Sequence, residues 1–263
     1  MLKFCANLHF MYSELPFLDR FAAAAADGFT AIEMTYPYEF PADQIRKHCN
    51  AARMEVVSFN APVGEIIPGI RRGVAVLPGF EEEYRSQIKQ GLDYARALNS
   101  PCLLSLAGIV PADLPLDRAR ATFIENLRHA ADACDKADVT LLIETNNLVE
   151  HPGYYLARLE QAADIIAAVG HPRLRLLFDT FHVGINEGDV VDNFKRHLPL
   201  IDHVQIANVP DRHEPGEGEL DFDAIFPAIE ESGYRGWIGC EYFPKNDTRS
   251  SLAWLKKRKG GTA

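Results

Sequence analysis

Short apolar runs alternate with longer amphipathic stretches along the whole chain. The runs have five or six apolar or β-branched residues, and between them apolar residues recur at the spacing of an α-helix. The predicted strands are 2–7, 30–34, 55–60, 101–106, 140–144, 174–179, 201–206 and 237–241. The predicted helices are 15–26, 42–54, 80–98, 118–137, 159–169, 190–198, 222–232 and 250–257. Strict alternation of the two element types is typical of a parallel sheet.

The number of strands and the length of the chain favour a closed barrel over an open sheet. A (β/α)₈ barrel typically needs roughly 250 residues, and this chain has 263, of which 47% are apolar. An open doubly wound sheet is the alternative, but it usually carries a glycine-rich turn after its first strand. Here that turn has no glycine and reads Asn7-Leu-His-Phe-Met-Tyr12. The sequence therefore predicts an α/β fold, a single-domain (β/α)₈ TIM barrel over 1–263, in which 256–263 form a frayed tail.

Charge and cysteine content restrict the partners and the compartment. The net charge is −10 and the pI is about 5.4, whereas nucleic acids and anionic membranes bind clustered positive charge. We therefore expect a small-molecule partner and neither nucleic acid nor membrane, with homo-oligomerisation left open. The five cysteines lack CxxC spacing and are interpreted as reduced thiols, and no apolar run approaches the ~18 residues of a membrane span. A cytoplasmic protein is expected.

Oxygen-bearing side chains recur at the ends of four predicted strands. These residues are Glu144, Asp179, Gln205 and Glu241, separated by 35, 26 and 36 positions. Such intervals are close to the roughly 30 residues of one strand-helix-strand unit, so each side chain is expected at the same height of the barrel. His182 follows Asp179 in the next loop and is expected above it, within reach of a substrate oxygen.

Three carboxylates and one amide oxygen at one point predict a metal site. Like charges held together are costly unless a cation neutralises them or some of the groups take up protons. Oxygen ligands suit Mg²⁺ or Mn²⁺ best, although carboxylate sites also bind Co²⁺ or Zn²⁺. The predicted ligands are Glu144, Asp179, Gln205 and Glu241.

The same residues can perform proton transfer on a hydroxy-carbonyl compound. A divalent ion polarises the carbonyl group and acidifies the neighbouring C–H. Glu144 and Glu241 come from strands five and eight, so they can face the substrate carbons from two sides. Removal of a proton from one carbon gives an enediolate, and reprotonation at the adjacent carbon exchanges the carbonyl and hydroxyl positions.

The loops after the strands supply further candidates. The loop over 61–79 is rich in glycine and proline and contains Arg72, so it is either a lid with a cation for an anionic substrate or a surface loop with incidental arginines. Arg212 lies in a second long loop beyond Gln205 and offers a bidentate fork to a substrate carboxylate. Tyr38 belongs to an aromatic group that either walls the pocket or packs at the barrel rim. His9 is interpreted as a structural histidine.

Taken together, these stretches resemble the hydroxypyruvate isomerases. This family lies within the xylose-isomerase-like TIM barrels, which also include ketose 3-epimerases and endonuclease IV, and the resemblance covers essentially the whole chain. The stretches that carry it are Ala6-Asn-Leu, Glu14-Leu-Pro-Phe-Leu-Asp-Arg-Phe-Ala-Ala-Ala, Pro37-Tyr-Glu-Phe-Pro, Leu141-Leu-Ile-Glu144, Phe178-Asp-Thr-Phe-His182, His203-Val-Gln-Ile-Ala207, Arg212-His-Glu-Pro-Gly-Glu-Gly-Glu-Leu220 and Gly239-Cys-Glu-Tyr242.

The resemblance implies that Glu144 and Glu241 are both the acid/base pair and metal ligands, with Asp179 and Gln205 completing the metal site. The residues that it implies to contact substrate are His182 and Arg212. The implied activity is the interconversion of an aldehyde and a ketone in a small hydroxy-oxo acid, hydroxypyruvate to 2-hydroxy-3-oxopropanoate or a 2-oxo-tetronate.

Three short segments depart from the pattern of the family, and because they are expected to line the pocket they affect which substrate is preferred. They are Thr145-Asn-Asn147 in place of Pro-Ile-Asn, Asp179-Thr-Phe-His182 in place of Asp-x-Tyr-His, and Ile70-Arg-Arg72 where Glu-Arg is expected. A ketose 3-epimerase is the main alternative, although a neutral ketose would not need the two arginines. Endonuclease IV would need a histidine-rich zinc site and a basic groove. A non-catalytic sugar-acid binding protein would not need two glutamates.

Overall fold

Eight parallel strands form a nearly closed barrel. The structure is a computed structural model that describes residues 1–63, 72–216 and 218–258. The strands are β1 (Lys3–Asn7), β2 (Ala31–Met34), β3 (Glu55–Phe59), β4 (Cys102–Leu104), β5 (Thr140–Glu144), β6 (Leu174–Asp179), β7 (Ile201–Ile206) and β8 (Trp237–Cys240). They hydrogen-bond in the order β3-β2-β1-β8-β7-β6-β5-β4. At the seam between β3 and β4 the Ala61 N–H donates to the Leu104 carbonyl at 2.7 Å, so the predicted TIM barrel is confirmed.

The helices surround the barrel, and their apolar faces pack against the strands to form the main hydrophobic core. They are α1 (Arg20–Ala26), α2 (Ala42–Ala52), α3 (Glu81–Leu98), α4 (Leu116–Lys136), α5 (Leu159–Val169), α6 (Thr180–Asn186), α7 (Val190–His197), α8 (Phe222–Glu231), α9 (Thr248–Ser251) and α10 (Ala253–Arg258). Strands β5, β6 and β7 have the predicted bounds. Strand β4 is shorter than predicted, and the last predicted helix is divided into α9 and α10.

The short helix α6 was not predicted, because we expected a loop after β6. Its first turn is stabilised by Asp179, whose carboxylate accepts a hydrogen bond from the Phe181 N–H at 2.9 Å. His182 therefore lies on a helix rather than in a loop. The stretch is too short for a helical hydrophobic period to be recognised, and Gly184 inside it disfavours a helix prediction.

The C-terminal segment is ordered further than predicted. Helix α10 includes positions 256–258, and Arg258 pairs with Glu230 at 3.5 Å while its guanidinium lies 4.5 Å from the Phe226 ring centroid. The predicted tail therefore starts no earlier than position 259, and 259–263 lie outside the described residues.

The interior of the barrel changes from apolar to polar toward its carboxyl end. Side chains along a strand alternate between the two faces, so residues two apart both point inward. On β5 and β6 the inner residues below the strand ends are Leu142 and Leu177, which pack with Cys102 and Leu104. All five cysteines lie within the described residues and are buried thiols outside any disulfide, as expected for reduced cysteines. Of the helices that the structure describes, none is long and apolar enough to span a bilayer.

The contacts of His9 are those of a structural histidine. Its Nδ1 accepts from the Thr35 N–H at 3.0 Å, and its ring lies 4.9 Å from that of Phe17. Burial lowers the pKa of His9 to about 4, and Arg20 adds to the shift.

The lowered pKa of His9 predicts a loss of stability in acid. Between about pH 6.5 and about pH 4 the unfolded state binds more protons than the folded state, so stability falls as the pH falls through this window. From about pH 7 to about pH 5, the free energy of unfolding should fall about 2 kcal/mol more in the wild type than in His9→Gln. Urea unfolding at both pH values measures this difference. Equal losses in the two proteins would show that His9 does not contribute.

Candidate active site

The four predicted ligands meet at the carboxyl end of the barrel. Asp179 pairs in register with Gln205, and Gln205 with Gly239, so the ends of β6, β7 and β8 lie at one level. Glu144 ends β5 at the same mouth, and all four side chains are buried. His182 lies near both Glu144 and Asp179, and Arg212 lies near both Asp179 and Glu241, so shared neighbours connect the three carboxylates.

Arg212 connects two of the carboxylates. Its Nη2 lies 3.0 Å from Glu241 Oε2 and 3.5 Å from Asp179 Oδ2. The guanidinium carbon lies 4.8 Å from the ring centroids of both Phe10 and Phe181, which enclose it. Opposite charge raises the pKa of Arg212 although burial alone would lower it. The sequence predicted Arg212 as a substrate contact, and the structure additionally places it as the cation that balances the acidic cluster.

Burial and mutual repulsion dominate the electrostatics of the carboxylates. Burial raises the pKa of Glu144 to about 8, and the charge of Asp179 adds to the shift. Burial also raises the pKa of Asp179 to about 6, although Arg212 opposes it. The pKa of Glu241 is raised well above its usual value by burial, again against Arg212. Without a further cation, the cluster would therefore hold protons at neutral pH.

The donor atoms of the cluster fit a divalent cation. Within the described part of the chain, two of its buried oxygens have no hydrogen-bond partner, Glu144 Oε1 and Gln205 Oε1. Buried oxygens are normally paired, so unpaired ones at a convergent acidic site are suited to a ligand. Oxygen donors of this kind are those that Mg²⁺ and Mn²⁺ prefer.

His182 points a hydrogen-bond donor into the same site. Its Nδ1 faces two donors of Asn147, the backbone N–H at 3.2 Å and the side-chain nitrogen at 2.8 Å, so Nδ1 accepts. Burial lowers the pKa of His182 well below its usual value, and the ring is neutral. The proton is thus on Nε2, which lies 3.7 Å from Glu144 Oε1 and 3.6 Å from Asp179 Oδ2. A protonated Nε2 cannot ligate a metal, which favours the predicted role as a substrate contact.

A cavity of about 260 Å³ opens onto these groups. Its polar wall includes Glu144, Glu241, His182, Arg212, Arg72 and Asn146, and its apolar wall includes Phe10, Tyr36, Leu104 and Leu106. This volume suits a molecule of a few carbon atoms.

Arg72 lines the cavity as predicted, and Tyr38 does not. Arg72 Nη1 donates to Asn146 Oδ1 at 2.8 Å, whereas positions 64–71 of the proposed lid lie outside the described residues. The hydroxyl of Tyr38 donates to the Asn60 carbonyl at 2.7 Å, and its ring packs against that of Tyr94. The alternative of rim packing therefore describes Tyr38, and its neighbour in the chain, Tyr36, forms the cavity wall.

Sequence reasoning missed a polar layer directly beneath the cluster. Glu33 on β2 is 1% exposed and hydrogen-bonds to Asn7, Ser58, His203 and Gln205. An acidic residue inside an otherwise apolar predicted strand was the available signal.

Comparison with known proteins identifies the family of this chain. The model of the xylose isomerase-like TIM barrel family matches residues 21–258, and the chain belongs to this family. It is 45% identical to a 2-oxo-tetronate isomerase of Cupriavidus necator, covering 97% of this chain and 98% of the relative. It is 38% identical to the hydroxypyruvate isomerase of Escherichia coli, with coverage of 97% and 98%. The resemblance inferred from the motifs is confirmed.

A solved structure is also close to this one. The crystal structure of an AP endonuclease, family 2, from Brucella melitensis superposes with a TM-score of 0.94 at 40% identity, covering 98% of this chain and 99% of that chain.

Proposed function

We propose that this protein is an isomerase that interconverts the aldehyde and ketone forms of a small hydroxy-oxo acid, hydroxypyruvate or a 2-oxo-tetronate. The observation that carries the proposal is the pair of buried glutamates, Glu144 and Glu241, at the mouth of one small cavity that also contains two arginines. The named relatives act in the same class of reaction.

The candidate metal site would be formed by Glu144, Asp179, Gln205 and Glu241. A divalent ion there, Mg²⁺ or Mn²⁺ by preference, would supply a Lewis acid that polarises the substrate carbonyl.

The two glutamates would move the protons. One carboxylate takes the proton from the carbon that bears the hydroxyl group, which gives an enediolate, and the other, protonated at the start, gives a proton to the adjacent carbon. The hydroxyl proton passes to the former carbonyl oxygen, and proton exchange with solvent returns both carboxylates to their starting states. Glu241 is held for this role from both sides, since Oε1 accepts from Asn7 Nδ2 at 3.2 Å and Oε2 from Arg212 at 3.0 Å. Glu144 Oε1, unpaired in the described residues, has room to accept a proton.

His182 would bind a substrate oxygen without exchanging a proton. Its Nε2–H is a fixed donor, because Asn147 occupies Nδ1 and the ring is neutral. A neutral donor of this kind orients a hydroxyl or carbonyl oxygen between the two carboxylates.

The substrate carboxylate would bind to Arg72 more than to Arg212. Arg212 already contacts Glu241, Asp179 and Glu150. The distance from its Nη1 to Glu150 Oε2 is 3.6 Å. Among the described residues, the Arg72 side chain donates one hydrogen bond, to Asn146 Oδ1, and Asn146 Nδ2 is buried with no hydrogen-bond partner. The two together present donors suited to a carboxylate at the cavity wall.

The arginine assignment predicts a difference between two variants. Arg72→Ala should raise KM for an acid substrate by ~10-fold or more with a smaller effect on kcat, because a charge-assisted hydrogen bond contributes ~1.5 to 3 kcal/mol. Arg212→Lys should instead lower kcat, because it loses the fork that contacts Glu241 and Asp179. Steady-state kinetics with hydroxypyruvate separates the two effects. If Arg72→Ala leaves KM unchanged while Arg212→Lys raises it, Arg212 is the anchor.

The reaction itself is tested by NMR in D₂O with C3 and C4 hydroxy-oxo acids. An isomerase of such acids moves the carbonyl group to the neighbouring carbon and incorporates deuterium at the new hydroxyl-bearing carbon. A ketose 3-epimerase, the alternative, instead inverts one carbon of a neutral ketose and returns the proton to that carbon. Turnover of neutral ketoses with no turnover of the acids would overturn the proposal.

A further inference from the structure

The buried carboxylate of Glu33 uses both of its oxygens beneath the candidate metal site. Oε1 accepts from Gln205 Nε2 at 2.8 Å and from Asn7 Nδ2 at 3.1 Å. Oε2 lies 2.6 Å from His203 Nε2 and accepts from Ser58 Oγ at 3.3 Å. The mechanism above assigns no step to Glu33, so its burial needs another explanation.

The contact with Glu33 decides which end of the Gln205 amide faces the site. A glutamine amide has a nitrogen end that donates and an oxygen end that accepts, and the two orientations have nearly the same shape. With Nε2 on Glu33, Oε1 faces the acidic cluster, where it is buried and has no partner among the described residues. The opposite orientation would place two acceptors against each other and turn an NH₂ group, which cannot ligate a cation, toward the site.

Glu33 also restrains Glu241 through Asn7. The Asn7 Nδ2 lies 3.1 Å from Glu33 Oε1 and 3.2 Å from Glu241 Oε1, so one amide connects the two carboxylates. Its own Oδ1 accepts from the His9 N–H at 3.0 Å, which fixes the orientation of this amide as well. One buried residue thereby orients two groups of the site.

Strand β8 leaves space for this carboxylate. Gly239 pairs in register with Gln205, and a Cβ atom at Gly239 would lie 2.3 Å from Glu33 Oε1. Such a contact is far inside van der Waals distance, so a larger residue at this position would displace Glu33.

We propose that Glu33 is a positioning residue that holds the Gln205 amide with its oxygen toward the candidate metal site. The inference rests on the proposed function, because it takes Gln205 as a ligand. Hydrogen-bonded groups behind metal ligands typically contribute ~10- to 100-fold to metal affinity. Glu33 would therefore contribute to cation binding without touching the cation or the substrate.

Two substitutions of similar size separate this role from simple packing. Glu33→Met removes the acceptor, frees the Gln205 amide to turn, and should weaken Mn²⁺ binding ~10- to 100-fold. Glu33→Gln can keep its amide oxygen as the acceptor for Gln205 and Asn7 and direct its NH₂ group to His203. The Nε2 of His203 accepts this hydrogen bond once the ring proton moves to Nδ1, which has no partner among the described residues. Its Kd for Mn²⁺ should stay within ~3-fold of the wild type. Ser58→Ala, which removes a contact to the other oxygen, is the matched control and should also keep the wild-type Kd.

A double-mutant cycle tests whether Glu33 acts through Gln205. The Kd for Mn²⁺ is measured by calorimetry for the wild type, Glu33→Met, Gln205→Met and the double variant, with urea unfolding to verify that each is folded. If Glu33 works by orienting Gln205, the change at Glu33 should weaken binding by less than ~3-fold once Gln205 is methionine. A purely structural role would weaken binding equally in both backgrounds and would overturn the inference.

The remaining outcomes distinguish this inference from the proposed function. A wild type that binds Mn²⁺ while Glu33→Met binds it equally well overturns the positioning role alone. A wild type without Mn²⁺ affinity overturns the metal site and the positioning role together. If Glu33→Met does not fold, Gly239→Ala replaces it, because it keeps the charge and displaces the carboxylate, and it should weaken Mn²⁺ binding in the same direction.

Discussion

Glu241→Gln should fold, bind metal more weakly and lose at least about 100-fold in turnover, the contribution typical of a general acid or base. The amide keeps the size of the side chain and can still accept from Asn7, but it cannot take up a proton. It also loses the charge that faces Arg212 at 3.0 Å, so some disorder of that guanidinium is expected.

The experiment measures kcat with hydroxypyruvate together with the Kd for Mn²⁺. Saturating Mn²⁺ separates lost proton transfer from weakened metal binding, because only the second effect is corrected by excess metal. Glu125→Gln on the exposed face of α4 is the matched control for the loss of one negative charge and should keep wild-type kcat. Near-normal turnover in Glu241→Gln at saturating metal would remove Glu241 from the mechanism.

Removal of metal should abolish activity, and Mn²⁺, Mg²⁺ or Co²⁺ should restore it. The reason is the formal charge of the cluster, to which Glu144, Asp179 and Glu241 contribute −3 when ionised, and Arg212 offsets one unit. A Lewis acid at the carbonyl contributes several kcal/mol, so we expect a loss of roughly 1,000-fold.

The measurement is an activity assay after EDTA treatment and desalting, with the metal content verified by elemental analysis. EDTA saturated beforehand with Ca²⁺ is the control for effects of the chelator itself. Restoration by several divalent ions would agree with an all-oxygen ligand set. A protein that is verified to be free of metal and remains fully active would mean that the carboxylates and Arg212 work alone.

Arg212 illustrates how a residue predicted from sequence acquires a second role in the fold. Its position beyond Gln205, in a loop bounded by proline and glycine, predicted a cation near the substrate. The loop turns back over the barrel mouth with Arg212 in the left-handed region, at φ 58°, and places its side chain between Phe10 and Phe181. Those aromatic residues come from the loop after β1 and from α6, and their convergence could not be derived from local sequence.

Local sequence also failed to predict features that depend on tertiary contacts. Tyr36 and Tyr38 are two residues apart in the chain, yet Tyr36 lines the cavity and Tyr38 packs against Tyr94, which lies on α3. Helix α6 escaped prediction for a related reason. Its first turn is capped by the carboxylate of Asp179, which the sequence pattern had assigned only to the predicted metal site.

By itself, the sequence determined the barrel architecture and the position of the site at the carboxyl ends of the strands. Alternating runs predicted eight strands and their helices, because the period of apolar positions reports which face of each element is buried. Oxygen-bearing residues at the ends of successive parallel strands predicted where Glu144, Asp179, Gln205 and Glu241 would meet, because parallel strands end at one edge. Only the tertiary structure decided how these groups are oriented. The contact that directs the Gln205 amide joins positions 172 residues apart, and no local pattern encodes a hydrogen bond whose partners meet only when the barrel is assembled.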